Sequence, residues 1–185
     1  MTSNQISMLD AFVKVSSVLI AVFGVLQYFH QISLASERVA KGRSLSLVEE
    51  FGSDSIASSR MSISSFWIEH QGYVHHMNSF GASEKEQKRY LMYALENYDD
   101  KRSFVESVLK LTTFYDRLGY CVSSMSCDYK IVCEYFFKRA EEFYSSHHLF
   151  LEEFKEIGPY LDVGDGPERV MELCRRKNSP LLHFQ

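Results

Sequence analysis

The chain has 185 residues, 45% of them hydrophobic, and a formal net charge of −4, a balance that excludes a disordered polyampholyte and, with no basic domain or stripe, gives a nucleic-acid partner no footing. Phenylalanine (14) and tyrosine (11) are abundant and proline (3) is scarce; apolar positions recur mainly at helical spacing, so the expected class is all-α. With a membrane anchor set aside, about 150 residues remain, enough for one domain with its own core.

The anchor is the stretch Ala11–Phe29, AFVKVSSVLIAVFGVLQYF. A spanning helix needs about 20 mostly apolar residues to cross roughly 30 Å of hydrocarbon. Eleven of these nineteen are Val, Leu, Ile or Phe, and no charged residue occurs from Val15 to Ser36. Each such side chain favours insertion by roughly 0.3–0.6 kcal/mol at mid-span, partly offset by Lys14, Ser16, Ser17 and Gln27. Lys14 lies close enough to the outer end to snorkel to the headgroups. The competing readings are a buried core helix and a cleaved signal peptide. The second lacks a basic leading segment, and Ser33-Leu34-Ala35 is a weak cleavage sequence.

Basic residues set the orientation. Arg38, Lys41 and Arg43 follow the span, whereas Lys14 before it is offset by Asp10. The flank richer in Lys and Arg is retained in the cytoplasm, so the N-terminus is expected outside and the C-terminal domain in the cytoplasm. The same three residues are expected to meet anionic headgroups, each worth roughly 1 kcal/mol near the surface. Gly24 and Ala21 continue a stripe with Ser17 and Gln27 at spacings of three and four, suited to self-association in lipid.

Beyond the span the helix is expected to run on through residues 30–51, weakened at Gly42 by roughly 1 kcal/mol relative to Ala. Gly52-Ser53-Asp54 ends it and caps a helix over residues 54–79, with Ile56, Ile63, Trp67, His70, Val74 and Met77 on one stripe. Ser83 and Glu86 form a capping box for a helix that turns Leu91, Ala94 and Leu95 inward, flanked by Tyr90 and Tyr98. Phe104, Val108, Leu111, Tyr115, Leu118 and Val122 then alternate spacings of four and three, an a/d seam. Residues 123–127 make a turn, and Asp128 caps a partner helix facing in through Tyr129, Val132, Phe136, Ala140 and Phe143. The short connection predicts a core hairpin of antiparallel neighbours. A separate helical stretch over Leu149–Ile157, a turn at Asp162–Gly166 and a last helix to Lys177, with Pro167 at its first position, complete the chain. The expected division is a short extracytoplasmic tail (1–10), a transmembrane helix (11–29), a juxtamembrane extension (30–51), a cytosolic antiparallel helical bundle (52–177) and an irregular tail (178–185).

No catalytic, cofactor or metal site is expected. His75-His76 and His147-His148 are adjacent pairs whose rings point about 100° apart on a helix, and no HxxxH spacing is present. Ser107 and Lys110 match Ser-x-x-Lys without its companion motifs. The acidic runs Glu141-Glu142 and Glu152-Glu153 read as solvated faces. Cys121, Cys127, Cys133 and Cys174 form no CxxC and are expected as free, mostly buried thiols of a reducing cytosol.

The basic helical run SERVAKGRSLSLVEEF, followed much later by VLKLTTFYDRLGYCV, a polar turn and DYKIVCEYFFKRAEEFY, resembles the bacterial family catalogued as domain of unknown function 4760. The likeness lies in the N-terminal anchor, the small helical domain and a central helix with Leu111, Phe114, Leu118 and Gly119. It implies a single-pass protein of the bacterial inner membrane and carries no catalytic residues. The expected function is a membrane-anchored interaction module that self-associates or binds a protein partner. A second likeness is to membrane-anchored accessory proteins of bacterial defence systems with a HEPN-like fold. It implies a pore or a ribonuclease of the Arg-x4–6-His type. Here Arg139 and His147 have seven intervening residues, and Arg176 and His183 have six but span Pro180.

Overall fold

A computed structural model describes residues 3–157 and 164–177, with the backbone alone for residues 3–15, 17, 18, 78, 157 and 177. Among the described residues there are six helices and no strand: α1 (Ser3–Gly52), α2 (Asp54–Ser79), α3 (Glu84–Glu96), α4 (Lys101–Ser123), α5 (Tyr129–Ile157) and α6 (Gly166–Lys177). The expected irregular tail and the first two residues of the turn before α6 lie outside the described residues, as does the side chain of Lys14.

The chain divides into two units, residues 1–40 and 41–185. The first is the helix that carries the apolar stretch. It is already helical at Ser3, within the segment expected as a tail. Leu19, Ile20, Phe23, Leu26 and Phe29 are each 63–72% exposed. A core helix would have these side chains covered, and no described residue covers them. This helix is long and apolar enough to cross a membrane.

The second unit begins at Lys41, ahead of the boundary at residue 52 drawn from the sequence. The last turns of α1 belong to its core. Phe51 packs on Phe114 and Phe136, each at 5.4 Å between ring centroids. Ser44 is fully buried, and its hydroxyl accepts a hydrogen bond from the backbone N–H of Asp128 at 2.8 Å. Asp128 in turn caps α5, its Oδ1 accepting from Ile131 N at 3.1 Å. Ser83 and Glu86 form the capping box of α3.

All six seam positions of α4 are buried. The seam of α5 is buried too, except for the half-buried Tyr129. The α4 and α5 seams meet, Phe114 on Phe136 at 5.6 Å and Tyr115 on Phe143 at 5.2 Å, while α4 packs most closely on α6 and α2, and α6 also packs on α5. α5 runs unbroken through the polar stretch expected to divide it. Phe143, His147 and Phe150, spaced by four and three, all turn inward and carry the helix across that gap.

The expectation of free thiols is corrected. Cys121 is bonded to Cys127 across the α4–α5 turn, and Cys133 on α5 to Cys174 on α6. Helical geometry brings the paired Cα atoms to 5.3 and 5.6 Å, within bridging range, although no short-spaced motif announces either pair.

α6 seats on α4 at a glycine. A Cβ on Gly166 would lie 2.3 Å from the backbone nitrogen of Asp116. The Gly166 N–H donates to Asp116 Oδ1 at 2.7 Å, so the α4 carboxylate fills the role of a helix cap. Replacing Gly166 with Ala forces α6 off α4 and is expected to cost at least about 1–3 kcal/mol. Gly42, where an added Cβ meets nothing within 4 Å, is the control: Gly42→Ala is expected to leave stability unchanged or raise it by up to about 1 kcal/mol. Thermal melts of the two variants beside the wild type check the pair, and equal melting temperatures would show that the glycine contact does not seat α6.

Candidate functional site

Four helices leave an open cleft of about 340 Å³ in the second unit. Its floor is apolar and comes from positions whose helical spacing turns them inward: Ile63 on α2, Leu111 and Tyr115 on α4, Phe143 on α5 and Phe51 at the end of α1, all buried. The half-buried Trp67 forms one wall. The rim is exposed and polar: Arg60 and Ser64 from α2, Arg139 and Glu142 from α5.

The cleft brings together Arg139 and His147, the pair weighed from the sequence for nuclease chemistry. His147 is buried and both of its ring nitrogens are engaged. Trp67 Nε1–H donates to Nε2 at 3.0 Å. An indole N–H can only donate, so Nε2 is the acceptor and the proton sits on Nδ1, which donates to Phe143 O at 2.8 Å. Burial pushes the ring down to about 4 from 6.5, outweighing the carbonyl contact. At neutral pH the ring is therefore neutral, with no lone pair or proton to offer a substrate. Arg139 stands about 12 Å away along the helix axis, stacked over Tyr135 at 4.2 Å and donating to the Tyr135 carbonyl. The two share a cleft without forming an acid–base pair.

Arg60 stacks on Phe51 at 4.7 Å. Neither Arg60 nor Arg139 has a carboxylate partner among the described residues, whereas Arg102, Arg117, Arg175 and Arg176 each meet a glutamate. Glu142 is 3.8 Å from Lys138. Tyr115 is 1% exposed and its hydroxyl makes no hydrogen bond to the described residues. Since no buried polar side-chain atom among them lacks a partner, that oxygen keeps a small accessible patch, and the cleft is what Tyr115 lines. Burial raises the phenol well above its ordinary range, opposed by the charges of Arg139 and Arg60, so it stays a protonated donor.

The other sequence candidates fall into structural roles. His75 and His76 are exposed on α2, and His148 reaches Glu84 at 3.3 Å. Lys110 donates to Ser55 on α2 rather than to Ser107. Glu141 pairs with Arg175 at 2.7 Å and Glu153 with Lys88 at 3.2 Å. Among the described residues no group of three or more His, Cys, Asp or Glu is placed to hold a metal ion; His183 lies outside them. Arg38, Lys41 and Arg43 are exposed on α1. The cleft itself was missed because Arg60 and Arg139 are far apart in sequence and neither belongs to a motif.

No family model, curated protein or solved structure matches the chain.

The locked histidine gives stability a pH dependence. Above pH 6.5 it is neutral in both folded and unfolded chains. As pH falls from 6.5 towards 4, the unfolded chain binds a proton that the folded one does not, and folding weakens by on the order of 3 kcal/mol. Below that range both states are protonated and the loss levels off. Urea titrations at pH 7 and pH 4.5 check this, with His147→Gln, which still accepts from Trp67, expected to reduce the dependence. An unchanged pH dependence in that variant would remove His147 as its source.

Proposed function

We propose that the chain is a single-span membrane protein of the inner membrane whose helical domain works by binding, to a second copy of itself or to a protein partner, and not by catalysis. The observation that carries this reading is the exposed apolar stretch of residues 19–34 of α1; in the second unit, both ring nitrogens of His147, the histidine weighed with Arg139, are engaged. Met61 and Ile68, seven residues apart on α2 and 71% and 74% exposed, offer an apolar ridge to a partner. The short turn between α4 and α5 supports an antiparallel course for the pair within a bundle. The resemblance to the domain of unknown function 4760 family belongs to the same proposal.

The orientation follows from Arg38, Lys41 and Arg43: N-terminus outside, domain in the cytoplasm, with these side chains near anionic headgroups. A second reading is favoured by the two disulfides, because such bonds persist in oxidising compartments and are rare in the cytosol. It places the domain outside. The contrast is read in cells by fusing alkaline phosphatase or a fluorescent protein to the C-terminus. Fluorescence without phosphatase activity supports the cytoplasmic domain. Phosphatase activity, together with cysteines that resist maleimide until reduced, establishes the reverse.

Self-association along Ala21, Gly24 and Gln27 is expected to give an oligomeric mass by light scattering in mild detergent. The mass should fall when Gly24 and Gln27 are both changed to Leu. A monomeric wild type, or an oligomer indifferent to the double change, leaves the protein-partner form of the proposal in its place.

A further inference from the structure

We propose that the cleft between α2, α4 and α5 is a small-molecule site, taking a flat ring that carries one oxyanion, in the first instance an aromatic carboxylate. Nothing in the anchoring or self-association of the chain requires such a site.

Three observations carry the inference. First, Arg60 and Arg139 both line the cleft, both act electrostatically on Tyr115, and neither has a carboxylate partner among the described residues. Their guanidiniums lie over Phe51 and Tyr135 at 4.7 and 4.2 Å; Arg139 spends one N–H on the Tyr135 carbonyl and keeps others to present. A guanidinium edge matches a carboxylate in two parallel hydrogen bonds. Second, the Tyr115 hydroxyl, on a residue only 1% exposed, has no partner among the described residues, and Tyr115 lines the same cleft. An unmet donor in a mostly apolar wall is costly unless water or a ligand oxygen meets it. Third, the lining beside these donors is apolar, with Trp67 as one wall over a floor that includes Phe143, and the volume of about 340 Å³ falls at the small end of ligand pockets.

Charge selects among anions. The two arginines are opposed by Glu142 at the rim, and His147 is neutral, so the lining carries a single net positive charge. That suits a monoanion better than a dianion. An apolar floor lowers the local dielectric and strengthens the attraction.

Trp67 is the only tryptophan in the chain and stands in the cleft wall, so its emission reports occupancy directly. The full-length protein in detergent is titrated with nicotinate and with nicotinamide, which has the same ring without the charge. Adenosine 5′-monophosphate and adenosine make the same comparison for a phosphate, and inorganic phosphate tests charge without a ring. The expected result is a saturable change with nicotinate, at least about tenfold tighter than with nicotinamide. Arg60→Gln and Arg139→Gln should each weaken it by about tenfold. Both side chains are on the exposed rim, so neither change disturbs the core. Tyr115→Phe, which leaves the ring packing intact, should weaken nicotinate and leave nicotinamide alone. A preference for adenosine 5′-monophosphate over nicotinate would overturn the carboxylate assignment in favour of a phosphate. No saturable change with any of the five up to ~10 mM, equal binding of the charged and neutral members of each pair, or binding indifferent to both arginine changes would overturn the site.

Discussion

The seating of α6 on α4 is the contact on which the arrangement of the second unit depends. Residue 166 must lack a side chain because the α4 backbone at Tyr115 and Asp116 occupies the space. Asp116 rewards the approach by accepting the N–H groups of Gly166 at 2.7 Å and Gly164 at 3.4 Å. Burial raises this carboxyl's pKa, and the two backbone donors offset the rise only in part. Once α6 is placed, the Tyr129 hydroxyl donates to the Cys174 carbonyl at 3.0 Å, Arg175 meets Glu141, and Cys174 lies beside Cys133. By chain entropy alone a bridge closing a separation of 41 residues contributes about 4 kcal/mol.

The same step orients the cleft. Successive side chains on a helix point about 100° apart, so Asp116 and Tyr115 cannot serve the same neighbour. With Asp116 committed to α6, Tyr115 is turned towards α2 and α5. Leu111, one turn earlier, follows it, and together they make the α4 part of the floor. On α5 the inward line through Phe143 and His147 carries Arg139 to the rim on the same side. The cleft is thus a by-product of the packing that seats α6, in the sense that its floor residues are core residues first. What distinguishes it from an ordinary groove is the chemistry at its edge: among the described residues, two guanidiniums without a carboxylate partner and a phenol without a hydrogen bond.

How much of this could be read from residue order depends on the range of the interaction. The capping box at Ser83–Glu86, the Asp128 cap and the α4 seam are local patterns, and the structure has them where the spacing put them. α5 was divided in two because Tyr144–His148 looks polar in one dimension. The inward His147 is satisfied by Trp67, 80 residues away, and no local rule anticipates a hydrogen bond of that reach. Phe66, fully buried at the centre of an aromatic cluster with Phe104 at 4.4 Å, was passed over because the more visible stripe on α2 ran through its neighbour Trp67. The cysteines illustrate the limit most plainly. Separations of 6 and 41 residues match no motif, and only the docking of α5 against α6 and the fold of the turn reveal the pairing.

If α1 spans a membrane as proposed, the basic flank and the disulfides argue for opposite sides of it, and they act at different moments. Flanking charge biases the helix while it inserts, over the 15–20 residues nearest the span. Cysteine oxidation follows folding and answers to the compartment in which the domain ends up. The first therefore causes an orientation, whereas the second records one. The packing itself does not decide between them: Cys127 and Cys174 are buried at 5% and 0% exposure, where a thiol packs as a small hydrophobe as well as a bonded sulfur does. Seating of α6 is likewise held by groups that do not sense redox state, the missing Cβ of Gly166 and the Asp116 carboxylate. A domain reduced in the cytoplasm would keep the same core and lose the bridge contribution, about 4 kcal/mol for the longer loop. That is a large share of the 5–15 kcal/mol that holds a domain folded. The compartment would then be written in the stability of the domain rather than in its shape.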